Sequence, residues 1–265
     1  MGFAPLSIRP DPDEPGAAEI WVNVSVAGRD YEAILDTGAA TSRLPLDAHT
    51  QTFPVVDGAV EAGRGALGPG RGDGKRVVVP HLEIAGIRAE DVVVTLEHDA
   101  GDHPTALLGL DVLRGHRLEL RMSRSELGID TEGGMDRARP LLASSRGHPH
   151  VDVDFGDVRA LAIWDTGAGA TIIDRAFATA HPELMAERGT SRGVDAHGNA
   201  QQLPTVELAS CAIGGRPFSP SLAAVAEIAG IQHEGDPAFA MILGYPVIAQ
   251  ADWVIDLAGG QWGFS

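Results

Sequence analysis

Trp21-Val-Asn-Val-Ser-Val-Ala-Gly-Arg-Asp-Tyr-Glu-Ala-Ile-Leu-Asp36-Thr37-Gly38-Ala39 decides the fold, because the chain repeats it. The second copy reads His150-Val-Asp-Val-Asp-Phe-Gly-Asp-Val-Arg-Ala-Leu-Ala-Ile-Trp-Asp165-Thr166-Gly167-Ala168. A shift of 129 positions lays Val22 on Val151, Val24 on Val153, Val26 on Phe155 and Asp36 on Asp165. Alternating apolar residues predict strands. Each half therefore starts with a hairpin whose second strand runs into Asp-Thr-Gly-Ala.

A second landmark also recurs. Leu107-Leu108-Gly109 follows in the first half and Ile242-Leu243-Gly244 in the second, each leading into a short helix-like piece, Leu110–Gly115 and Tyr245–Gln250. Strands are expected at Val77–Val79, Leu82–Ile84, Val92–Leu96 and Arg117–Met122. In the second half they are expected at Val206–Leu208, Cys211–Ile213, Trp253–Leu257 and Gln261–Phe264. The best helix pattern is Arg175–Arg188, broken at Pro182. Arg137–Pro149 has no periodicity and reads as a linker. The expected division is a lobe at 1–138, a connection at 139–149 and a lobe at 150–265. With 33 Gly and 17 Pro in 265 residues, a turn-rich all-β protein is favoured over a helical bundle. Aromatics are 5%, so the core is expected to be Val, Leu, Ile and Ala.

Two aspartates in equivalent places of a duplicated half suggest paired-carboxylate chemistry. Two carboxyls about 3 Å apart cannot both ionise, so they share one proton. The ionised partner can take a proton from water while the protonated one hydrogen-bonds a scissile carbonyl. Gly38 and Gly167 lack a Cβ, so the backbones can approach and offer N–H groups. Thr37 and Thr166 supply hydroxyls that can lock the loops together. Ala39 and Ala168 cannot donate a side-chain hydrogen bond to a carboxylate. The pair is therefore expected to work at a milder pH than a strongly acidic protease. Ser42 and Thr171, six positions after each Asp, are read as loop supports.

The elements Ile34–Ala39, Ile163–Ala168, Leu107–Gly109 and Ile242–Gly244 resemble the aspartic peptidases, retroviral-type and pepsin-type. The resemblance covers about Trp21 to Phe264. It implies two similar β-barrel-like lobes related by a pseudo-two-fold axis, with an active-site cleft between them. It implies Asp36 and Asp165 as catalytic residues, with Thr37, Gly38, Ala39, Thr166, Gly167 and Ala168 supporting the catalytic loops. The Ala after each Gly and the compact halves look retroviral-type, duplicated into one chain. The tyrosines are Tyr31 and Tyr245, neither where a pepsin-type flap tyrosine would stand, and the lone Cys211 forms no internal disulfide. The implied activity is aspartic endopeptidase, with no cofactor and no metal.

Within the glycine-rich stretch Gly58–Gly74, Gly63–Arg76 reads either as a flexible surface loop or as a mobile lid, with Gly63, Arg64, Gly65, Gly68, Gly70 and Arg71 as flap residues. With Lys75 and Arg76, its basic residues would favour acidic residues in a bound peptide. Gly193–Asn199 is the matching segment. Lys75 is followed by Arg76 rather than Ser or Thr, so this is not a phosphate loop, and Arg71-Gly72-Asp73 is read as coincidence. His148-Pro149-His150 lacks the companions of a metal site, and Cys211 is read as a structural thiol.

The net charge of −17 argues against nucleic acid and anionic membranes as partners. Met1–Pro15 has no apolar run and carries Asp11, Asp13 and Glu14, so a cytoplasmic setting is expected. The expected partner is a peptide or unfolded protein, and the expected state a monomer, since one chain supplies both halves. A non-catalytic peptide-binding module and a narrowly specific self-processing peptidase remain as alternatives.

Overall fold

The structure is a computed structural model that describes residues 2–56, 64–69, 74–97, 105–195 and 198–265. Strand Ala18–Val26 buries every second residue, Ala18, Ile20, Val22, Val24 and Val26, as its sequence pattern requires. It turns through Ala27 and Gly28, both at positive φ, into Arg29–Leu35, as a two-residue hairpin demands.

From that hairpin the first half builds outward. Ala106–Leu108 lies parallel to Arg29–Leu35, with Leu35 opposite Leu108. Arg43–Pro45 follows, then Ile87–Glu97 and Lys75–Ile84. Lys75–Ile84 pairs back with Ala18–Val26 at Val26–Leu82, so six strands close into a barrel. The second half takes the same path. Its hairpin Pro149–Asp154/Arg159–Trp164 pairs with Met241–Leu243, then Thr171–Asp174, Ser221–Ala226 and Ala200–Leu208. Trp164 stands opposite Leu243 as Leu35 stands opposite Leu108. The repeat is thus one of strand order and register, and not only of motif.

A third layer knits the halves. Phe3–Pro10, Glu126–Ile129 and Arg117–Arg121 from the first half continue into Asp252–Asp256 and Gln261–Phe264 from the second, with Asp136–Pro140 at the edge. Leu118 faces Ile255 and Leu120 faces Trp253 across the join. Above it, Trp253 packs 5.9 Å from Trp164 and 5.0 Å from Phe264, ring centre to ring centre. The core is mainly aliphatic as expected, with buried aromatics at Phe53 and in a cluster of Trp164, Phe218, Trp253, Trp262 and Phe264.

Two expectations are corrected. Arg137–Pro149 is not a bare linker: Asp136–Pro140 pairs with Gln261–Phe264, and Leu142–Ala143 with Pro149–His150. All five residues of Asp136–Pro140 are exposed, so the segment gains backbone hydrogen bonds without an apolar face, and no periodicity marks it. The helix begins at Arg175, where Asp174 accepts from the Ala176 N–H at 3.1 Å, and ends at Ala180. Pro182 opens one 3₁₀ turn, and Met185–Val194 is strand. That strand is mostly exposed, so it shows no alternation. Among the described residues no helix is long and apolar enough to cross a membrane.

Candidate active site

Asp36 and Asp165 follow the ends of two equivalent central strands. The Asp36 N–H donates to Leu108 O at 2.9 Å, and the Asp165 N–H to Leu243 O at 3.1 Å. Each aspartate is thereby held by the apolar-apolar-Gly strand of its own half. Behind them, Gly109 N donates to Ser42 Oγ at 2.9 Å and Gly244 N to Thr171 Oγ1 at 3.2 Å. Ser42 and Thr171 thus brace the loops as their matched spacing suggests. Ser42 is itself fixed by donating to Asp111 Oδ1 at 2.6 Å, a contact absent from the second half, where Pro246 stands in the equivalent place.

The two loops interlock. Thr37 N donates to Thr166 Oγ1, and Thr166 N to Thr37 Oγ1, both at 3.1 Å. Thr37 Oγ1 donates onward to Trp164 O at 2.9 Å. Both threonines are buried. Thr37→Val is expected to orphan a buried N–H and a buried C=O, costing about 2–4 kcal/mol. Thr37→Ser keeps the hydroxyl and loses only a methyl, about 1 kcal/mol. Denaturant midpoints of the two variants check this, and equal midpoints contradict it.

Gly38 N donates both to Asp36 Oδ1 at 2.9 Å and to Asp165 Oδ1 at 3.0 Å, so one N–H spans the pair. Gly167 N donates to Asp165 Oδ1 at 2.9 Å. Burial pushes the Asp36 carboxyl above its ordinary value, but the Arg43 charge and the Gly38 N–H oppose that. Burial and then repulsion by Asp36 push Asp165 well above its ordinary value. The two carboxyls therefore titrate as one pair, in which a single proton can be shared between them.

A cleft of about 960 Å³ lies over the pair, walled by both halves. Its floor is symmetric and apolar: Ile34 and Leu107 on one side, Ile163 and Ile242 on the other. Two hairpins meet over it. Gly65 and Gly68 flank the tip of the first, Ala66–Leu67, and Leu67 N donates to Asp195 Oδ2 at 3.1 Å. Gln201 Nε2 returns a hydrogen bond to Leu67 O at 2.8 Å. Asp195 and Gln201 belong to the hairpin Met185–Val194/Ala200–Leu208, which contains the expected matching segment. Arg64 lies in the first hairpin's strand, while Gly63, Gly70 and Arg71 fall outside the described residues.

Sequence reading missed Arg43, a cleft-wall cation with only 12% side-chain exposure, 3.2 Å from Glu97. The 129-residue shift could have found it, because it stands where the second half has Ile172. It also missed the cleft-lining loop residues Ser144, Arg146 and His148. Burial lowers the His148 pKa to about 4, and burial raises the Cys211 thiol to about 11, so the thiol is not a nucleophile near neutral pH. Among the described residues no group of three or more His, Cys, Asp or Glu is placed to hold a metal.

Residues 22–115 match the family model described as gag-polyprotein putative aspartyl protease. No curated protein matches the chain. Among solved structures the chain is similar to the aspartic proteinase from Irpex lacteus, at 15% identity and a TM-score of 0.58, over 100% of this chain and 96% of that one. The chain thus has the aspartic proteinase fold over its whole length, with its match to the gag-type aspartyl protease family lying in the first half.

Proposed function

We propose that the protein is an aspartic endopeptidase of retropepsin-like type, with Asp36 and Asp165 as its catalytic residues. The observation that carries this reading is the Gly38 N–H bridging the two carboxylates at 2.9 and 3.0 Å on the floor of the cleft. An extended peptide would lie between floor and hairpins, held by strand-like backbone hydrogen bonds. Protonated Asp165 donates to the scissile carbonyl oxygen, and ionised Asp36 takes a proton from the attacking water. The water oxygen bonds to the carbonyl carbon, and the developing oxyanion is met by the proton from Asp165. When the C–N bond breaks, the proton held by Asp36 passes to the leaving nitrogen, and a hydroxyl of the gem-diol returns its proton to Asp165 as the carbonyl re-forms. The hairpins act as lids that exclude bulk water, with Gly65 and Gly68 as flap residues. The partner is a peptide or unfolded protein, the setting cytoplasmic and the active form a monomer.

The test is incubation of the wild-type protein with an unfolded protein mixture from pH 3 to 7, with new termini read by mass spectrometry. Cleavage between apolar residues is expected. One carboxyl must be ionised at the working pH, and burial raises both, so the optimum is expected above about pH 4. An optimum near pH 2–3 contradicts the protonation scheme, and absence of cleavage contradicts the function.

A further inference from the structure

The cleft is symmetric on its floor and asymmetric on its walls. On the first half's wall, Arg43, Thr95 and Arg76 are direct cross-strand neighbours, Arg43 opposite Thr95 and Arg76 opposite Thr95. All three line the cleft. In the second half the same register holds Ile172 opposite Ala224 and Thr205 opposite Ala224. Two guanidinium-bearing positions on one wall thus correspond to Ile and Thr on the other. Glu97 pairs with Arg43 at 3.2 Å.

The loop carrying Arg146 is held by the second half, Ser145 N donating to Asp236 Oδ1 at 2.7 Å, and Arg146 and Asp236 both line the cleft. The loop carrying Asp11, Asp13 and Glu14 reaches the second half, with Ala18 N donating to Gly169 O at 3.2 Å.

We infer that the wall formed by Arg43, Thr95 and Arg76 is a subsite for an acidic side chain, so that the bound peptide carries Asp or Glu on one side of the scissile pair only. This rests on the reading of the cleft as a peptide site. The guanidinium fork suits a carboxylate, and the Thr95 hydroxyl between the two arginines can donate a further hydrogen bond. The equivalent positions Ile172 and Ala224 hold no charge, and the second half's cleft-lining Arg192 stands instead on the hairpin strand Met185–Val194.

The experiment measures binding rather than turnover. Peptide analogues with a reduced, uncleavable central bond between apolar residues carry Glu, Gln or Lys at each nearby position in turn. Affinities are measured at about pH 6, where a peptide Glu is ionised. The expected result is a preference for Glu over Lys of about tenfold or more at one position, on one side of the central bond, weakening as salt is raised. Arg76→Thr, which installs the second half's residue, is expected to remove most of that preference, and Arg76→Glu to invert it. Equal affinity for Glu, Gln and Lys at every position overturns the inference. So does a Glu preference that survives Arg76→Thr and Arg43→Ile, or a failure of every analogue to bind. Parallel incubation of the same peptides with ordinary bonds reads cleavage separately. Selective binding without cleavage would sustain the subsite and defeat the catalytic reading.

Discussion

Asp165→Asn is expected to lower kcat/KM by about 10³-fold or more while making the protein more stable at neutral pH than the wild type. The first effect follows because the amide neither ionises nor passes a proton to the carbonyl oxygen. The second follows from the sign of the linkage. The folded carboxyl has its pKa raised well above the ordinary value, by burial and then by Asp36. Between the ordinary and the raised value the folded state holds more protons than the unfolded one. Stability therefore falls as pH rises through that window, at about 1.4 kcal/mol for each unit of elevation. Asn stays neutral at every pH and still offers N–H groups to Asp36, so the penalty disappears. Wild-type Tm should decline relative to the variant's from about pH 4 upward, because the other shifted groups, His148 among them, are common to both. Asp36→Asn should lose as much activity but gain less stability, because Arg43 then loses a nearby charge. Melting curves at pH 4 and 7 beside peptide cleavage decide it. Retained cleavage, or a variant less stable at both pH values, would contradict the argument.

The duplicated element was legible because both of its signals are local. Alternation from Val22 to Val26 marks a half-buried strand, and Asp-Thr-Gly-Ala ends it. The 129-residue shift then foretold that Leu35 and Trp164 would occupy equivalent core positions. What escaped was structure whose stabilisation is not local. Asp136–Pro140 is strand because Gln261–Phe264 offers it an edge, and its exposed residues carry no pattern. Met185–Arg188 lies inside the helix pattern, yet Pro182 ends the helix before it, and Met185–Val194 pairs with Ala200–Leu208 apart from one irregularity between Glu187 and Gly189. The meeting of Leu67 with Asp195 joins residues 128 apart and leaves no trace in either segment. Arg43 was hidden differently. A charged residue in a short strand reads as a solvated face, and only its place between Leu107 and Thr95 turns it into the cleft.

Gly38→Ala and Gly167→Ala are expected to reduce kcat/KM by about 10²-fold or more each and to cost about 1–3 kcal/mol of stability. Neither glycine is needed for an unusual backbone angle. They are needed for distance. A Cβ on Gly38 would stand 2.2 Å from Asp165 Oδ2, and one on Gly167 would stand 2.2 Å from Asp36 Cγ. Each methyl would strike the carboxylate of the opposite half. The carboxylate cannot retreat without losing the Gly38 N–H that it shares with its partner. A site of this kind tolerates displacements of only about 0.5 Å, which is less than the clash demands. Gly115→Ala is the control, since nothing lies within 4 Å of a Cβ there and its φ is ordinary. That change should leave activity intact and leave stability equal or slightly raised, by up to about 1 kcal/mol. The two site variants should also resemble one another, because each half presses on the other's aspartate in the same way. If one of them keeps full activity while the other loses it, the two aspartates do not act as one pair, and the shared-proton mechanism fails with them.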